Sequence, residues 1–210
     1  MARILISLWL CMWLQATRAQ VVVEEDLQTG DLLFQNLDCG PLCDAIETVT
    51  HGYKGISFSH IGLVIKRNDS LYVLEAIGKD VHTTPLPIFV KRSTHRVYIG
   101  RVRSKYRYMV NDAVAYANTK AGIAYDDVFL YDNDKYYCSE LIYDAFKYAN
   151  SGKPFFALQP MTFCKPDTRT FFPAWEAYYK DLGVPVPEGK PGINPGGISS
   201  SRKIKIIGCL

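Results

Sequence analysis

The chain has 210 residues, of which 48% are hydrophobic and 21% charged. That is enough for one domain with a full core, and it excludes a disordered or low-complexity chain. The formal net charge of +3 is too small for a nucleic-acid binder, and no heptad or solenoid repeat runs through the sequence.

Residues 1–19, MARILISLWLCMWLQATRA, have the plan of a secretory signal peptide. Arg3 supplies a positive start and Ile4 to Leu14 an apolar core. Thr17 and Ala19 are small residues where a signal peptidase reads them. The apolar run is shorter than the about 20 residues a membrane span needs, so no stable membrane anchor is expected. Cleavage near Ala19 leaves 22 basic residues against 21 acidic, since Arg3 and Arg18 depart. The protein is therefore expected to be exported, periplasmic or secreted, and nearly neutral. Cys11 leaves with the leader. Cys39, Cys43, Cys138, Cys164 and Cys209 remain, an odd number, so at least one thiol stays unpaired within the chain.

In the remaining chain, Gly30-Asp31 reads as a turn into a short buried strand, Leu32 to Phe34. Cys39 to Thr50 reads as a short helix. Phe58 to Lys66 and Leu71 to Ile77 are apolar, β-branched runs around the polar turn Arg67 to Ser70, a hairpin. His95 to Val102 alternates in part and reads as a third strand. Tyr106 to Asn118 and Cys138 to Asn150 carry apolar residues at the helical period, and 170–182 is a further helix. Pro185 to Ser201 reads as a loop, and Lys203 to Ile207 as an edge strand. Strands in the first half and helices in the second argue for an α+β fold, an antiparallel sheet packed by helices. No low-complexity linker divides 20–210, so a single domain is expected.

The chemistry begins in the hairpin. A two-residue loop at Asn68-Asp69 pairs Arg67 with Ser70 and puts His60, Gly62 and Val64 on one face with Val73, Glu75 and Ile77. His60 is then the diagonal neighbour of Glu75, within side-chain reach. A glutamate between Val73 and Ile77 needs a partner, and an imidazole serves. Cys138 opens a helix and faces inward, where the helix dipole and free N–H groups favour a thiolate and offer an oxyanion site. A thiol, an imidazole and a carboxylate are the three parts of a thiol-nucleophile site. His51, His82 and His95 fall at no metal-ligand spacing, and neither a metal nor a cofactor is expected.

The stretches LQTGDLLFQ (27–35), FSHIGLVIKRN (58–68), YVLEAIG (72–78) and YYCSELIYDAF (136–146) resemble the YaeF/YiiX family of permuted papain-like amidases. The likeness to the YiiX type extends to Tyr125-Asp126 and to the Pro/Ser-rich stretch near 184–201. It departs at Ala124, where the resemblance leads one to expect proline. The resemblance implies a circularly permuted papain-like (NlpC-type) fold in which the histidine precedes the cysteine. It implies Cys138 as nucleophile, His60 as general base and Glu75 as the group orienting His60. Tyr137, Tyr125 and Ser59 are candidate cleft-lining residues, and Glu140 is read as a favourable carboxylate in the first helical turn. Gly30-Asp31 is read as a structural turn at the edge of the site. The expected function is hydrolysis of an amide through a thioester, on cell-wall or other small peptides, without cofactor or metal. The alternatives are a thiol acyltransferase or lipid hydrolase on the same fold, and a non-catalytic binding module. An apolar rim would favour lipid, and Phe155-Phe156 with Phe171-Phe172 are candidates for it.

Overall fold

The computed structural model describes residues 23–210, so the leader and the start near Gln20 lie outside the described residues. Six strands form one antiparallel sheet: β1 (Leu32–Gln35), β2 (His60–Arg67), β3 (Ser70–Ile77), β4 (Asp80–Pro85), β5 (Tyr98–Val102) and, at the far end of the chain, β8 (Ile204–Cys209). Their order across the sheet is β4-β3-β2-β1-β5-β8. β1 is central, and all four of its residues are buried. A strand covered on both faces has no reason to alternate, which is why LLFQ reads as a continuous run. β2 and β3 pair Arg67 with Ser70 and Leu63 with Leu74, the register expected from the two-residue turn. Asn68 in that turn adopts φ 53°, a conformation asparagine tolerates well.

The pleat sorts the sheet into two cores. Leu32, Phe34, Ile61, Leu63 and Leu74 pack against α3 (Val110–Thr119) and α4 (Cys138–Ala149). Leu33, Val64, Val73 and Ile99 face the other way, against Leu86 and Phe89 of α2 (Leu86–Val90). A third cluster joins Ala45 of α1 (Pro41–Val49) to Trp175 and Tyr179 of α5 (Pro173–Leu182) and to Phe163. A short ribbon, β6 (Gln159–Pro160) with β7 (Pro191–Gly192), borders that cluster. The mixed helices and antiparallel sheet are the α+β architecture expected.

Several elements differ from the sequence reading, the β6–β7 ribbon among them. β4 and α2 were not anticipated. DVHTTP has no apolar alternation because β4 is an edge strand, and α2 has only five residues with Pro87 inside it. Within the expected loop 185–201 lies a helical turn, α6 (Pro195–Ser199), where the Asn194 side chain accepts a hydrogen bond from Gly197 N at 2.7 Å. Glycines and prolines hid it. Phe155 and Phe156 are buried against Phe146 in the main core, so they supply no rim. Gly30-Asp31 is a structural turn, but it opens β1 at the end opposite Gln35, the residue paired with His60. It does not border the candidate site.

Cys39 and Cys43 are joined by a disulfide at the start of α1. Cys138, Cys164 and Cys209 are free. No helix among the described residues is long and apolar enough to cross a membrane.

Candidate active site

His60 opens β2, and Glu75 lies on the neighbouring strand with its side chain on the same face. The two are 3% and 0% exposed, and His60 Nε2 is 2.6 Å from Glu75 Oε2. The contact depends on Gly62. A Cβ at that position would come 2.2 Å from Val73 Cγ1 and 3.1 Å from Phe89. A side chain there would push apart the hairpin and the helix that covers it.

A buried carboxylate needs compensation, and imidazole alone does not complete it. Arg92, just beyond α2, provides the rest. Its Nη1 donates to Glu75 Oε2 at 2.8 Å, and its Nη2 to Glu75 Oε1 and, at 3.1 Å, to Thr84 Oγ1. This is a two-pronged guanidinium–carboxylate pair. Burial pushes the Glu75 pKa up, but Arg92 and then His60 outweigh it and bring it to about 2. For His60, burial favours the neutral ring. Cys138 and Glu75 overcome that and raise it to about 9. At neutral pH the array is therefore guanidinium, carboxylate and imidazolium. Nothing in the sequence pointed to Arg92; its place follows from α2, which had no readable period. Gln35, opposite His60 across β1 and β2, was also missed. It is fully buried, and its Nε2 donates to Phe89 O at 2.7 Å.

Cys138 is the first residue of α4 and 6% exposed. Its helix packs on the sheet face opposite α2, but His60 lies at the strand's end, where the helix start reaches the ring. Glu75 takes Nε2, so Nδ1 is left free for the Cys138 thiol, which lies near enough to raise the imidazole pKa. The tautomer follows from the ionised Glu75: Nε2–H donates to the carboxylate.

The turn carrying Cys138 is fastened on both sides. Tyr137 OH accepts from Ile193 N at 3.1 Å, and Ser139 Oγ donates to Ile193 O at 2.8 Å. Glu140, read as a favourable first-turn carboxylate, does sit in the first turn of α4; it is buried and accepts from Asp132 N at 3.0 Å. Burial raises its pKa to about 8. Asp126 orders the same loop by accepting from Val128 N, Leu130 N and Asn133 Nδ2 at 2.7–3.0 Å. Tyr125-Asp126 thus shapes the approach to the thiol.

A cleft opens beside Cys138. Ser59 and Tyr137 line it with Phe129, Met161, Phe163 and Trp175; Tyr125 is not part of its wall. Tyr125 packs edge-on against Phe129, and burial and the nearby Cys138 raise its phenol pKa. The Ser59 hydroxyl accepts from Leu37 N at 2.8 Å, which ties the residue before His60 to the end of β1. Phe171 and Phe172 pack around Trp175 and Phe163 rather than in the wall. His51, His82 and His95 are exposed.

Residues 26–207 match the family described as permuted papain-like amidase enzyme, YaeF/YiiX, C92 family. The chain belongs to that family. A YiiX protein of Escherichia coli (strain K12) is 32% identical over 125 residues, 58% of this chain and 58% of the relative's length. The crystal structure of YiiX from Escherichia coli O157:H7, described as a metalloprotein, matches with a TM-score of 0.70 at 24% identity. The match covers 87% of this chain and 97% of that one, and it speaks for the fold. In the present chain, no group of three or more His, Cys, Asp or Glu side chains among the described residues is placed to hold a metal ion. The side chains at the centre of this YaeF/YiiX-type fold fit thiol chemistry instead.

Proposed function

We propose that the protein is an exported cysteine amidase acting on small peptides, with Cys138 as nucleophile, His60 as acid and base, and Glu75 as the group orienting His60. The observation that carries this reading is the buried 2.6 Å His60–Glu75 contact, beside which the Cys138 thiol lies close enough to raise the imidazole pKa. What favours catalysis over a binding module is the set itself, since a thiol, an imidazole and a carboxylate are the parts nucleophilic chemistry needs.

The steps follow from the geometry. The Cys138 thiolate attacks the amide carbonyl, and the new C–S bond sends an electron pair onto oxygen. The Cys138 N–H at the helix start is placed to hold that oxyanion. The imidazolium gives its Nδ1 proton to the amine as the C–N bond breaks, leaving a thioester and neutral His60. Water then attacks the thioester and gives its proton to His60. The C–S bond breaks, the acid leaves and the ion pair is restored. Throughout, Glu75 accepts from Nε2–H and holds the ring in one tautomer. Acyl transfer would use the same thioester and replace water by another acceptor.

Export rests on the 1–19 leader, and the Cys39–Cys43 disulfide fits an oxidising compartment. Expression in a secreting host should yield a chain beginning near Gln20 by intact mass. The chemistry is tested with a panel of cell-wall fragments, aminoacyl amides and phospholipids. At least one amide should turn over, and Cys138→Ala should lower its rate by at least about 10³-fold. Turnover that survives this substitution would remove Cys138 from the mechanism.

A further inference from the structure

The cleft beside Cys138 has a sharply one-sided chemistry. Among the described residues, no Asp, Glu, Lys, Arg or His side chain lines it. Phe129, Met161, Phe163, Trp175 and Ile193 stand in its wall with further aliphatic side chains, and apart from the thiol its polar groups are neutral hydroxyls and amides. The wall is also fixed in place. Phe129 and Phe163 both pack edge-on against Trp175, with ring centroids 5.7 and 5.0 Å away. Ile193 is held by Tyr137 and Ser139 on either side of the thiol. The space is small, about 130 Å³. An apolar cavity of roughly 150 Å³ is known to hold a benzene-sized guest. A ring or a branched aliphatic group fits such a space.

We propose that this cleft is the specificity pocket of the amidase, and that it takes one bulky, uncharged apolar side chain next to the scissile amide. The proposal rests on the amidase reading above for its placement beside the reacting bond. A charged side chain entering the cleft would leave its water shell and find no counter-charge, a costly transfer. A small side chain would leave the aromatic wall unfilled. Substrates are thus sorted by the free energy of burying one apolar group, a factor of about ten or more for a full Leu- or Phe-sized side chain.

The test uses two peptide series, Ac-X-Ala-NH₂ and Ac-Ala-X-NH₂, with X as Phe, Leu, Ala, Glu or Lys, together with decanoyl-Ala-NH₂. In one of the two series kcat/KM for Phe and Leu should exceed that for Ala by at least tenfold, with Glu and Lys below Ala. The decanoyl amide should fall below the Phe peptide. Preference for Glu, Lys or decanoyl, or equal rates throughout, overturns the proposal while leaving the amidase reading intact. Binding gives a readout that needs no chemistry. In calorimetry with Cys138→Ser, the Phe peptide should bind at least tenfold more tightly than the Glu peptide. If nothing is hydrolysed but this preference holds, the pocket stands and the amidase reading falls. If neither hydrolysis nor preference is seen, the pocket falls as well.

Two wall variants close the test. Met161→Lys brings a cation into the cleft and should raise the Glu:Phe ratio at least tenfold. Gly192→Ala is milder: its new Cβ would meet the Met161 sulfur at 2.2 Å, so that thioether must leave its place in the wall. The Phe:Ala ratio should then change at least threefold. Ratios unchanged in both variants would show that substrate does not enter this cleft.

Discussion

Two ends of the same sheet carry the same device for different ends. At the start of β1, Asp31 is 1% exposed and receives Arg101 in two-pronged fashion, Nε to Oδ1 and Nη2 to Oδ2, each at 2.7 Å. Near the other end, Glu75 is 0% exposed and receives Arg92 the same way. Both guanidinium side chains keep 23% of their surface exposed, so each joins solvent to an interior carboxylate. The difference lies in the third partner. Asp31 accepts a further hydrogen bond from Gln28 N at 2.8 Å, which closes a turn. Glu75 accepts from His60, whose pKa the nearby Cys138 thiol raises. An arginine–carboxylate pair is thus structural or chemical according to what else the carboxylate holds.

The sharpest way to break this comparison is to neutralise each carboxylate. Glu75→Gln removes the charge and puts an amide donor in place of one carboxylate oxygen, so the His60 tautomer is no longer fixed, and kcat/KM should fall about 10²–10⁴-fold, as for a lost orienting carboxylate elsewhere. Asp31→Asn, measured on the same amide under conditions where the protein stays folded, should leave kcat/KM within about threefold. Equal losses in the two variants would mean that Glu75 acts only through stability.

The arginines come next. Removing one partner of a buried ion pair costs about 3–5 kcal/mol, and the partial exposure of both side chains places Arg92→Ala and Arg101→Ala at or below the lower end. Urea unfolding should show similar losses for the two. Activity should separate them, because without Arg92 the Glu75 pKa rises from about 2. The acid limb of the pH–rate profile should move toward neutrality in Arg92→Ala and stay in place in Arg101→Ala. Arg92→Lys restores the charge but not the fork, so it should recover the acid limb more fully than the rate. If Arg92→Ala lowers stability and leaves the profile untouched, it is a strut like Arg101.

The contrast between the arginines also explains what a sequence can display. The β2–β3 register was legible because a two-residue turn and strict alternation leave little freedom, and it brought His60 to Glu75. Cys138 was legible because α4 has a full helical period from its first residue. Arg92 was not. It follows a five-residue helix whose role is to cover one sheet face, and its position depends on tertiary packing alone. The cleft was hidden for a related reason. Its wall is gathered from α1, the 129–139 segment, the 159–163 stretch, Trp175 and 192–195, and no local pattern joins pieces so far apart in sequence.

The finest distinction between the two ends is their response to pH. Glu75 ionises at about 2 in the fold against an ordinary 4.5. A lowered carboxyl contributes stability that is present above 4.5 and lost as pH falls through 2. His60 titrates at about 9 against an ordinary 6.5. A raised imidazole contributes stability that is present below 6.5 and lost as pH rises through 9. The site's ionic contribution is therefore complete only between about pH 4.5 and 6.5, and it declines on the alkaline side. The Asp31–Arg101 pair has no imidazole and should show no such decline. Urea midpoints should fall from pH 6.5 to 9 in the wild-type chain, and the fall should flatten in His60→Gln. The ring itself gives the most direct reading. Of the groups that raise His60, Cys138 stands first, so the His60 titration followed by NMR should move down from about 9 in Cys138→Ala while Glu75 and Arg92 remain in place. A titration unmoved by that substitution would mean that the thiol and the imidazole do not share a proton, and Glu75 would then be holding His60 much as Asp31 holds its turn.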